Sequence, residues 1–405
     1  MPFKALNLNP RLVQSTGEIG YTEPTPIQAQ AIPLILAGRD IIATAQTGTG
    51  KTAAFLLPIL HHLMQKPPNA THALIITPTR ELARQIEVVC RDLARHTKLR
   101  VALLVGGVSM MPQERAIRAG VELLVATPGR LLDHMQFQGQ RFNGLSIVVL
   151  DEADMMLDMG FLPDLKRILA KLPGRKQTLM FSATMPPVIG RLATEILKKP
   201  ETIEIGKRSA PAVGITQAAF PVPEHLKTPL LRHLLRHTPM PSVLVFTRTK
   251  QTAKRLAKSI ESDGFAVTEL HSNLSQGQRT RAMDGFRRGD FQIMVATNIA
   301  SRGLDVSHIT HVISHDVPHV PEDYVHRIGR TGRAQAEGDA FVLVSPAEEK
   351  SLSQIERHIG ERLPRVTLPD FDYRVPSGTK MEARQGGPGK SGKSGKPKRQ
   401  RGQNR

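Results

Sequence analysis

Two segments of the chain carry residues that together could bind and hydrolyse a nucleoside triphosphate: AQTGTGKT at residues 45–52 and DEAD at residues 151–154. The glycines of the first segment let backbone amides approach phosphate oxygens at the start of a helix. Lys51 would neutralise the β and γ phosphates, and the Thr52 hydroxyl would bind Mg²⁺. The residues predicted to contact the nucleotide in this loop are Thr47, Gly48, Thr49, Gly50, Lys51 and Thr52.

Two carboxylates after the apolar run LSIVVL complement this phosphate-binding loop. Asp151 is the predicted second partner of Mg²⁺, and Glu152 is the predicted base that orients or deprotonates the attacking water. A carboxylate at such a position could instead cap the next helix. With the phosphate-binding loop upstream, we keep that interpretation only for Asp154 or Asp158.

These residues need elements that hold them at one edge of a sheet. Short apolar runs end repeatedly in small polar residues and alternate with helix-like stretches, which predicts parallel α/β sheets covered on both faces. In such sheets ligands bind at the carboxyl ends of the strands. The predicted strands lie within residues 40–45, 73–79, 100–107, 122–129, 147–154 and 178–184 in the first half and 241–249, 265–273, 291–298, 309–318 and 338–345 in the second.

The length of 405 residues predicts two domains, because single cores stop growing beyond about 250 to 300 residues. We place the first domain at residues 1–207, a linker at 208–216, the second domain at 217–370 and a disordered tail at 371–405. The formal net charge is +19, and the tail carries ten Lys or Arg residues against two acidic ones. This charge distribution favours nucleic acid as a partner.

Further segments, in order along the chain, resemble the motifs of DEAD-box RNA helicases. The segments are GYTEPTPIQ at 20–28, PTREL at 78–82, Gly106 with Gly107, TPGR at 127–130, SAT at 182–184, VFTRT at 245–249, QGQR at 276–279, ATNIASRGLD at 296–305 and HRIGRTGR at 326–333. The resemblance covers roughly residues 1–370. It implies two tandem RecA-like domains that bind ATP, Mg²⁺ and RNA in the cleft between them, with closure parting a short duplex.

The resemblance also implies roles for individual residues. Gln28 would read the adenine edge, Phe3 would stack on the base, and Asp305 would bind the nucleotide. Ser182, Ala183 and Thr184 would couple hydrolysis to unwinding. RNA binding is implied for Pro78, Thr79, Arg80, Gly107, Thr127, Pro128, Gly129, Arg130, Thr247, Arg248, Gln276, Arg279 and Thr297.

Arg330 and Arg333 are predicted catalytic residues, since they lie in a glycine-punctuated segment and the guanidinium fork suits phosphate. An arginine finger from the second domain would stabilise charge on the transferring phosphoryl group only after the domains close. Asn298 departs from the resemblance, because the family usually has Asp at this position.

We expect RNA contacts to the backbone, and therefore local unwinding that does not depend on sequence. Aromatic residues make up only 4% of the chain, so an extended base-stacking platform is not expected. Two alternatives stay open. One is a nucleotide-gated RNA clamp or annealing chaperone with little unwinding, against which the intact Glu152, Arg330 and Arg333 argue. The other is a DNA translocase, against which the segment at 20–28 and the DEAD sequence at 151–154 argue.

The composition and the short basic tail resemble the bacterial RhlE-type branch of the family. No apolar run approaches the length needed to span a bilayer, so we expect a cytoplasmic protein without a membrane partner. Ribosomal or RNA-decay assemblies are candidate partners besides RNA itself.

Overall fold

The computed structural model describes residues 2–45, 48–137, 142–174, 176–205, 214–298, 308–332 and 337–376. Within these residues the chain forms two α/β units, each built on one parallel sheet. This confirms the predicted fold class.

The first sheet has seven strands in the order β3-β4-β2-β5-β6-β1-β7. They are β1 (Ile41–Ala45), β2 (Ala73–Ile76), β3 (Val101–Leu104), β4 (Leu123–Ala126), β5 (Ile147–Leu150), β6 (Gln177–Ser182) and β7 (Glu201–Ile205). The helices are α1 (Pro10–Glu18), α2 (Pro26–Leu36), α3 (Lys51–Leu63), α4 (Arg80–Leu93), α5 (Met110–Arg118), α6 (Pro128–Phe137), α7 (Ala153–Asp158), α8 (Leu162–Lys171) and α9 (Pro187–Ile196), after a 3₁₀ turn at Phe3–Leu6.

Both faces of this sheet are buried. In β5, Ile147 and Val149 belong to the hydrophobic cluster on one face, while Val148 and Leu150 belong to the cluster on the other. Successive strand residues point to opposite faces, so a strand covered on both sides reads as a continuous apolar run. That is why these strands could be predicted without an alternating pattern.

The second sheet has six strands in the order β10-β11-β9-β12-β13-β8. They are β8 (Ile215–Pro221), β9 (Val243–Thr247), β10 (Val267–Leu270), β11 (Ile293–Thr297), β12 (His311–Ser314) and β13 (Gly338–Val344). The helices are α10 (Lys227–His237), α11 (Lys250–Glu261), α12 (Gln276–Arg288), α13 (Pro321–Ile328) and α14 (Glu349–Ile359), with 3₁₀ turns at Glu224–Leu226 and Pro346–Glu348.

Two strands were not predicted, and both lie at sheet edges next to the linker. β7 buries only Ile203, and its Glu and Thr residues give it no apolar run. β8 begins at Ile215 and therefore occupies the end of the predicted linker 208–216. Residues 206–213 lie outside the described residues, so the rest of the linker stays a prediction.

The predicted tail begins too early. Phe371 is buried and packs edge-on against Tyr373 at 4.9 Å between ring centroids. Both residues, with Val375, contact the hydrophobic cluster beneath β9 and β11. Residues 371–376 therefore belong to the second domain, because their apolar side chains are needed to cover its core. Residues 377–405 lie outside the described residues.

None of the helices in the described residues is long and apolar enough to cross a membrane.

Candidate functional site

The predicted phosphate-binding loop follows β1, and α3 begins at Lys51. Gly50 caps this helix with φ +92°, a conformation that L side chains rarely adopt. A Cβ atom at Gly50 would also lie 2.6 Å from Gln28 Nε2. Only glycine therefore fits between the loop and α2. Thr47 lies outside the described residues.

The side chain of Gln28 connects α2 to this loop by a hydrogen bond. Its Nε2 donates to the carbonyl of Gly50 at 3.1 Å, and its Oε1 accepts from the backbone N–H of Thr25 at 3.0 Å. A primary amide has two N–H donors and two acceptor lone pairs, so one of each remains for a ligand. Gln28 lines the adjacent cavity, as its predicted adenine contact requires.

The prediction that Phe3 stacks on a base is wrong. Phe3 is only 3% exposed and belongs to the hydrophobic core of the first domain. Among the described residues that line the cavity, the aromatic residue is Tyr21. Tyr21 lies inside the segment GYTEPTPIQ, so its sequence position next to Gly20 was the available signal.

A compact cluster of charges lies at the start of α3. Lys51 Nζ donates to the carbonyl of Ala45 at 2.9 Å and lies 3.3 Å from Glu152 Oε1. Burial would lower the pKa of Lys51, but the carboxylates of Glu152 and Asp151 outweigh it and raise that pKa. Lys51 is therefore held as a cation inside the cavity.

Glu152 has an unusual backbone conformation. Its φ is 54° and its ψ is 54°, in the left-handed region, although it is not glycine. Such a conformation costs about 1–3 kcal/mol and persists where surrounding structure enforces it, often at functional sites. Here it caps α7 directly after β5 and aims the carboxylate at Lys51.

Asp151 fits a magnesium ligand. Burial and the neighbouring carboxylate of Glu152 raise the pKa of Asp151 to about 7. Its Oδ1 is buried, and no hydrogen-bond partner for it is found among the described residues. An orphaned carboxylate oxygen of this kind is satisfied by a hard cation, and the Thr52 hydroxyl lines the same cavity. The residues present therefore suit Mg²⁺.

Asp154 connects the acidic segment to the predicted coupling segment. Its Oδ2 accepts from the backbone N–H of Thr184 at 2.8 Å and from the Thr184 hydroxyl at 2.9 Å. Its own N–H donates to Ser182 Oγ at 3.2 Å. Ala183 lies between these two residues. Asp154 Oδ1 also accepts from the N–H of Met155, but Asp154 lies inside α7, whose N-cap is Glu152, so the prediction that Asp154 caps this helix is wrong.

Arg330 reaches the same cavity from the second domain. The cavity measures about 470 Å³, and its lining includes Gly48, Lys51, Thr52, Asp151, Glu152 and Arg330. Arg330 is 4% exposed, and its Nε donates to the carbonyl of His326 at 3.2 Å. Residues predicted to bind nucleotide and to take part in phosphoryl transfer thus line this cavity from both domains. Arg333 and Asp305 lie outside the described residues.

A second cavity of about 330 Å³ also spans both domains. Its lining from the first domain includes Pro78, Thr79, Arg80, Thr127, Gly129 and Arg130, all predicted to bind RNA. From the second domain come Ser272, Leu274 and Arg279. The Nε of Arg130 is buried without a hydrogen-bond partner among the described residues, and it lies 3.6 Å from Asp133 Oδ2 in an ion pair.

The guanidinium of Arg80 packs against the backbone of Gly107. A Cβ atom at Gly107 would lie 1.9 Å from Arg80 Nη1, so the guanidinium rests directly on this backbone. The same Nη1 donates to Gln276 Oε1 of the second domain at 3.1 Å. Beside it, Arg279 Nε donates to Glu81 Oε1 at 2.8 Å. Two polar contacts between remote segments therefore join the domains here.

Four predicted RNA residues of the second domain are not among the residues that line this cavity: Gln276, which contacts it through Arg80, and Thr247, Arg248 and Thr297. Thr247 is fully buried and its hydroxyl donates to the carbonyl of Thr249, so its side chain supports a turn and cannot contact RNA in this arrangement. Arg248 is exposed, and its Nη2 donates to Glu348 Oε1 at 2.8 Å. Thr297 ends β11 and is half-buried.

Comparison with known families and relatives agrees with this geometry. Residues 25–192 match the family described as DEAD/DEAH box helicase, and residues 226–335 match the helicase conserved C-terminal domain. The DEAD-box ATP-dependent RNA helicase RhpA of Helicobacter pylori is 42% identical over 370 residues, which cover 91% of this chain and 75% of RhpA.

Two solved structures differ in how well they superpose. S. cerevisiae Dbp5 bound to RNA and ADP BeF3 gives a TM-score of 0.82 at 32% identity, covering 90% of this chain and 95% of Dbp5. A DEAD box protein from the hyperthermophile Methanococcus jannaschii gives 0.53 at 36% identity, covering 91% and 99%. The second protein is closer in sequence but differs more in overall shape.

Proposed function

The chain belongs to the DEAD-box family of ATP-dependent RNA helicases, and we propose that it closes its two domains around ATP–Mg²⁺ and RNA to part short duplexes without reading their sequence. The observation that carries this proposal is that both cavities are built from both domains. A ligand in either cavity would favour the same closed arrangement, because only that arrangement offers all of its contacts.

The greater similarity in shape to Dbp5 bound to RNA and ADP BeF3 than to the M. jannaschii protein supports this interpretation. The two hydrogen bonds between the domains, Arg80 to Gln276 and Arg279 to Glu81, support it as well. Closure would thereby tie nucleotide binding to RNA binding.

In the nucleotide cavity, Gln28 would hold the adenine edge and Lys51 the β and γ phosphates. Thr52 and Asp151 would hold Mg²⁺, which when bound neutralises charge on the phosphates. Glu152 would take the proton of the attacking water, at the carboxylate that now pairs with Lys51.

In the RNA cavity, the polar groups of the lining suit phosphates. Arg80, Arg130 and Arg279 supply guanidinium groups, and Thr79 and Thr127 supply hydroxyls. Phosphate contacts position nucleic acid but carry no sequence information. Unwinding independent of sequence follows from this composition of the cavity.

Strand displacement tests the proposal. Two short RNA duplexes of matched stability but different sequence should be separated at similar rates with ATP, and neither should be separated without it. RNA-stimulated ATP hydrolysis without strand separation would instead favour a nucleotide-gated clamp or annealing chaperone. Equal stimulation of hydrolysis by DNA and by RNA would favour a DNA translocase.

Gln28 should make the enzyme prefer ATP to GTP, because an amide can both donate to and accept from the adenine edge. Gln28→Glu keeps an oxygen that accepts from the Thr25 N–H but loses the amide N–H donor. It should therefore lower the ratio of kcat/KM for ATP to kcat/KM for GTP. Steady-state hydrolysis of both nucleotides measures this ratio. Gln136→Glu, an exposed change on α6, serves as the control. Equal use of ATP and GTP by the unmodified chain would contradict the role of Gln28.

Three finer assignments stay predictions from the sequence. They are membership of the RhlE-type branch, a cytoplasmic location, and ribosomal or RNA-decay assemblies as partners. The composition and the short basic tail support the first of them.

A further inference from the structure

Asn298, Asp323 and Arg327 form a joint between the end of β11 and α13. Asn298 Nδ2 donates to Asp323 Oδ2 at 2.9 Å, and Asn298 Oδ1 accepts from Arg327 Nε at 2.8 Å. A carboxylate can only accept and a guanidinium can only donate. The amide therefore has one orientation that satisfies both partners, and neither Asp nor Ala could replace it in both contacts.

Arg327 anchors this joint in the domain core. It is buried, and its Nη1 donates to Ser314 Oγ at 3.0 Å and to the carbonyl of Asp316 at 2.7 Å. Its guanidinium carbon also lies 5.2 Å from the centre of the Phe246 ring. Through this one side chain, α13 is held against β9, against the end of β12 and, through Asn298, against the end of β11.

The orientation of α13 decides where Arg330 lies. The helix ends at Ile328, and Arg330 follows two residues later with its Nε bonded to the carbonyl of His326, inside the same helix. A small rotation of α13 would therefore move Arg330 within the nucleotide cavity. Misplacement of a catalytic group by about 1 Å can cost on the order of 10² in rate.

We propose that Asn298 is a positioning residue that sets the place of Arg330 through Asp323 and Arg327. The inference rests on the proposed catalytic role of Arg330. It also accounts for the departure of this chain from the Asp that is usual in the family: with a carboxylate already at 323, a second one at 298 would face it across 2.9 Å. This chain has the amide at 298 and the acid at 323.

Exchange of the two side chains tests the proposal. Asn298→Asp should lower kcat of RNA-stimulated ATP hydrolysis about tenfold, the effect of losing one hydrogen bond to a charged group. KM for ATP should change little, because Gln28 and Lys51, the predicted adenine and phosphate contacts of the first domain, are left unchanged. The double variant Asn298→Asp with Asp323→Asn should recover most of kcat. In that variant the carboxylate placed at 298 can accept both from Arg327 and from the amide placed at 323.

Further variants separate positioning from folding. Asn143→Asp adds the same charge at an exposed turn before β5, away from the carboxyl ends of the strands, and should leave kcat unchanged. Asn298→Ala removes both hydrogen bonds without adding charge, so it replaces Asn298→Asp if that variant does not fold. Thermal unfolding of the same samples identifies loss of folded protein.

If the unmodified chain is active, two results would overturn this inference and leave the proposed function standing. One is a normal kcat in Asn298→Asp, and the other is a loss that the double variant does not recover. An unmodified chain without RNA-stimulated hydrolysis would overturn the proposed function and this inference together.

Discussion

Replacing Glu152 with Gln should slow RNA-stimulated ATP hydrolysis by on the order of 10² to 10⁴, the usual contribution of a general base. The amide has nearly the same shape but cannot take the proton of the attacking water. Because the amide is neutral, the ion pair between residue 152 and Lys51 is also lost, and the Lys51 ammonium can then interact with phosphates. ATP and RNA should therefore still bind. Single-turnover hydrolysis and equilibrium binding of both ligands measure the two effects separately.

The control for this variant is Glu195→Gln. Glu195 pairs with Lys166 on the surface of the first domain, and both side chains are about half exposed. An exposed pair of this kind contributes little to stability, so hydrolysis should be unchanged. If Glu152→Gln hydrolysed ATP at a rate near that of the unmodified chain, another group would have to be the base.

Removing Arg330 should lower kcat by on the order of 10³, as for other arginine fingers, while KM for ATP changes much less. The reason is that stabilisation of the transferring phosphoryl group is needed in the transition state more than in the bound ground state. Arg330→Lys should recover little, because an ammonium group lacks the planar fork of donors. Steady-state kinetics with saturating RNA measure kcat and KM for both variants.

Arg288→Ala is the matched control, since Arg288 is exposed and pairs with Asp290 at the end of α12. Arg330 is buried, so thermal unfolding must accompany the kinetics. A large rise in KM with kcat preserved would assign Arg330 to nucleotide binding and not to catalysis.

Much of the fold could be predicted because the strands are buried on both faces. β5 and β9 are continuous runs of Val, Ile, Leu and Phe that end in polar residues. Such a run can be recognised from a few neighbouring residues in the sequence. The edge strands β7 and β8 bury fewer side chains and have no such pattern. Their strand conformation comes from pairing with β1 and β13, which local sequence does not encode.

The phosphate-binding loop and the acidic segment could be predicted from the sequence because their functional residues are adjacent along the chain. Gly50, Lys51 and Thr52 are consecutive, and Asp151 and Glu152 adjoin at the end of one strand. Spacing over a few residues is enough to place such groups around a phosphate and its cation. The structure then added how they meet, with Lys51 beside Glu152.

Contacts between remote segments were decided only by packing in three dimensions. The position of Phe3 before the adenine segment gave no sign that its ring is buried in the core while Tyr21 lines the cavity. Asn298 could be seen to depart from the family, but its partners lie 25 and 29 residues further along the chain. Sequence periodicity indicates which face of an element is apolar. It does not indicate which distant element covers that face, and burial and pairing depend on that choice.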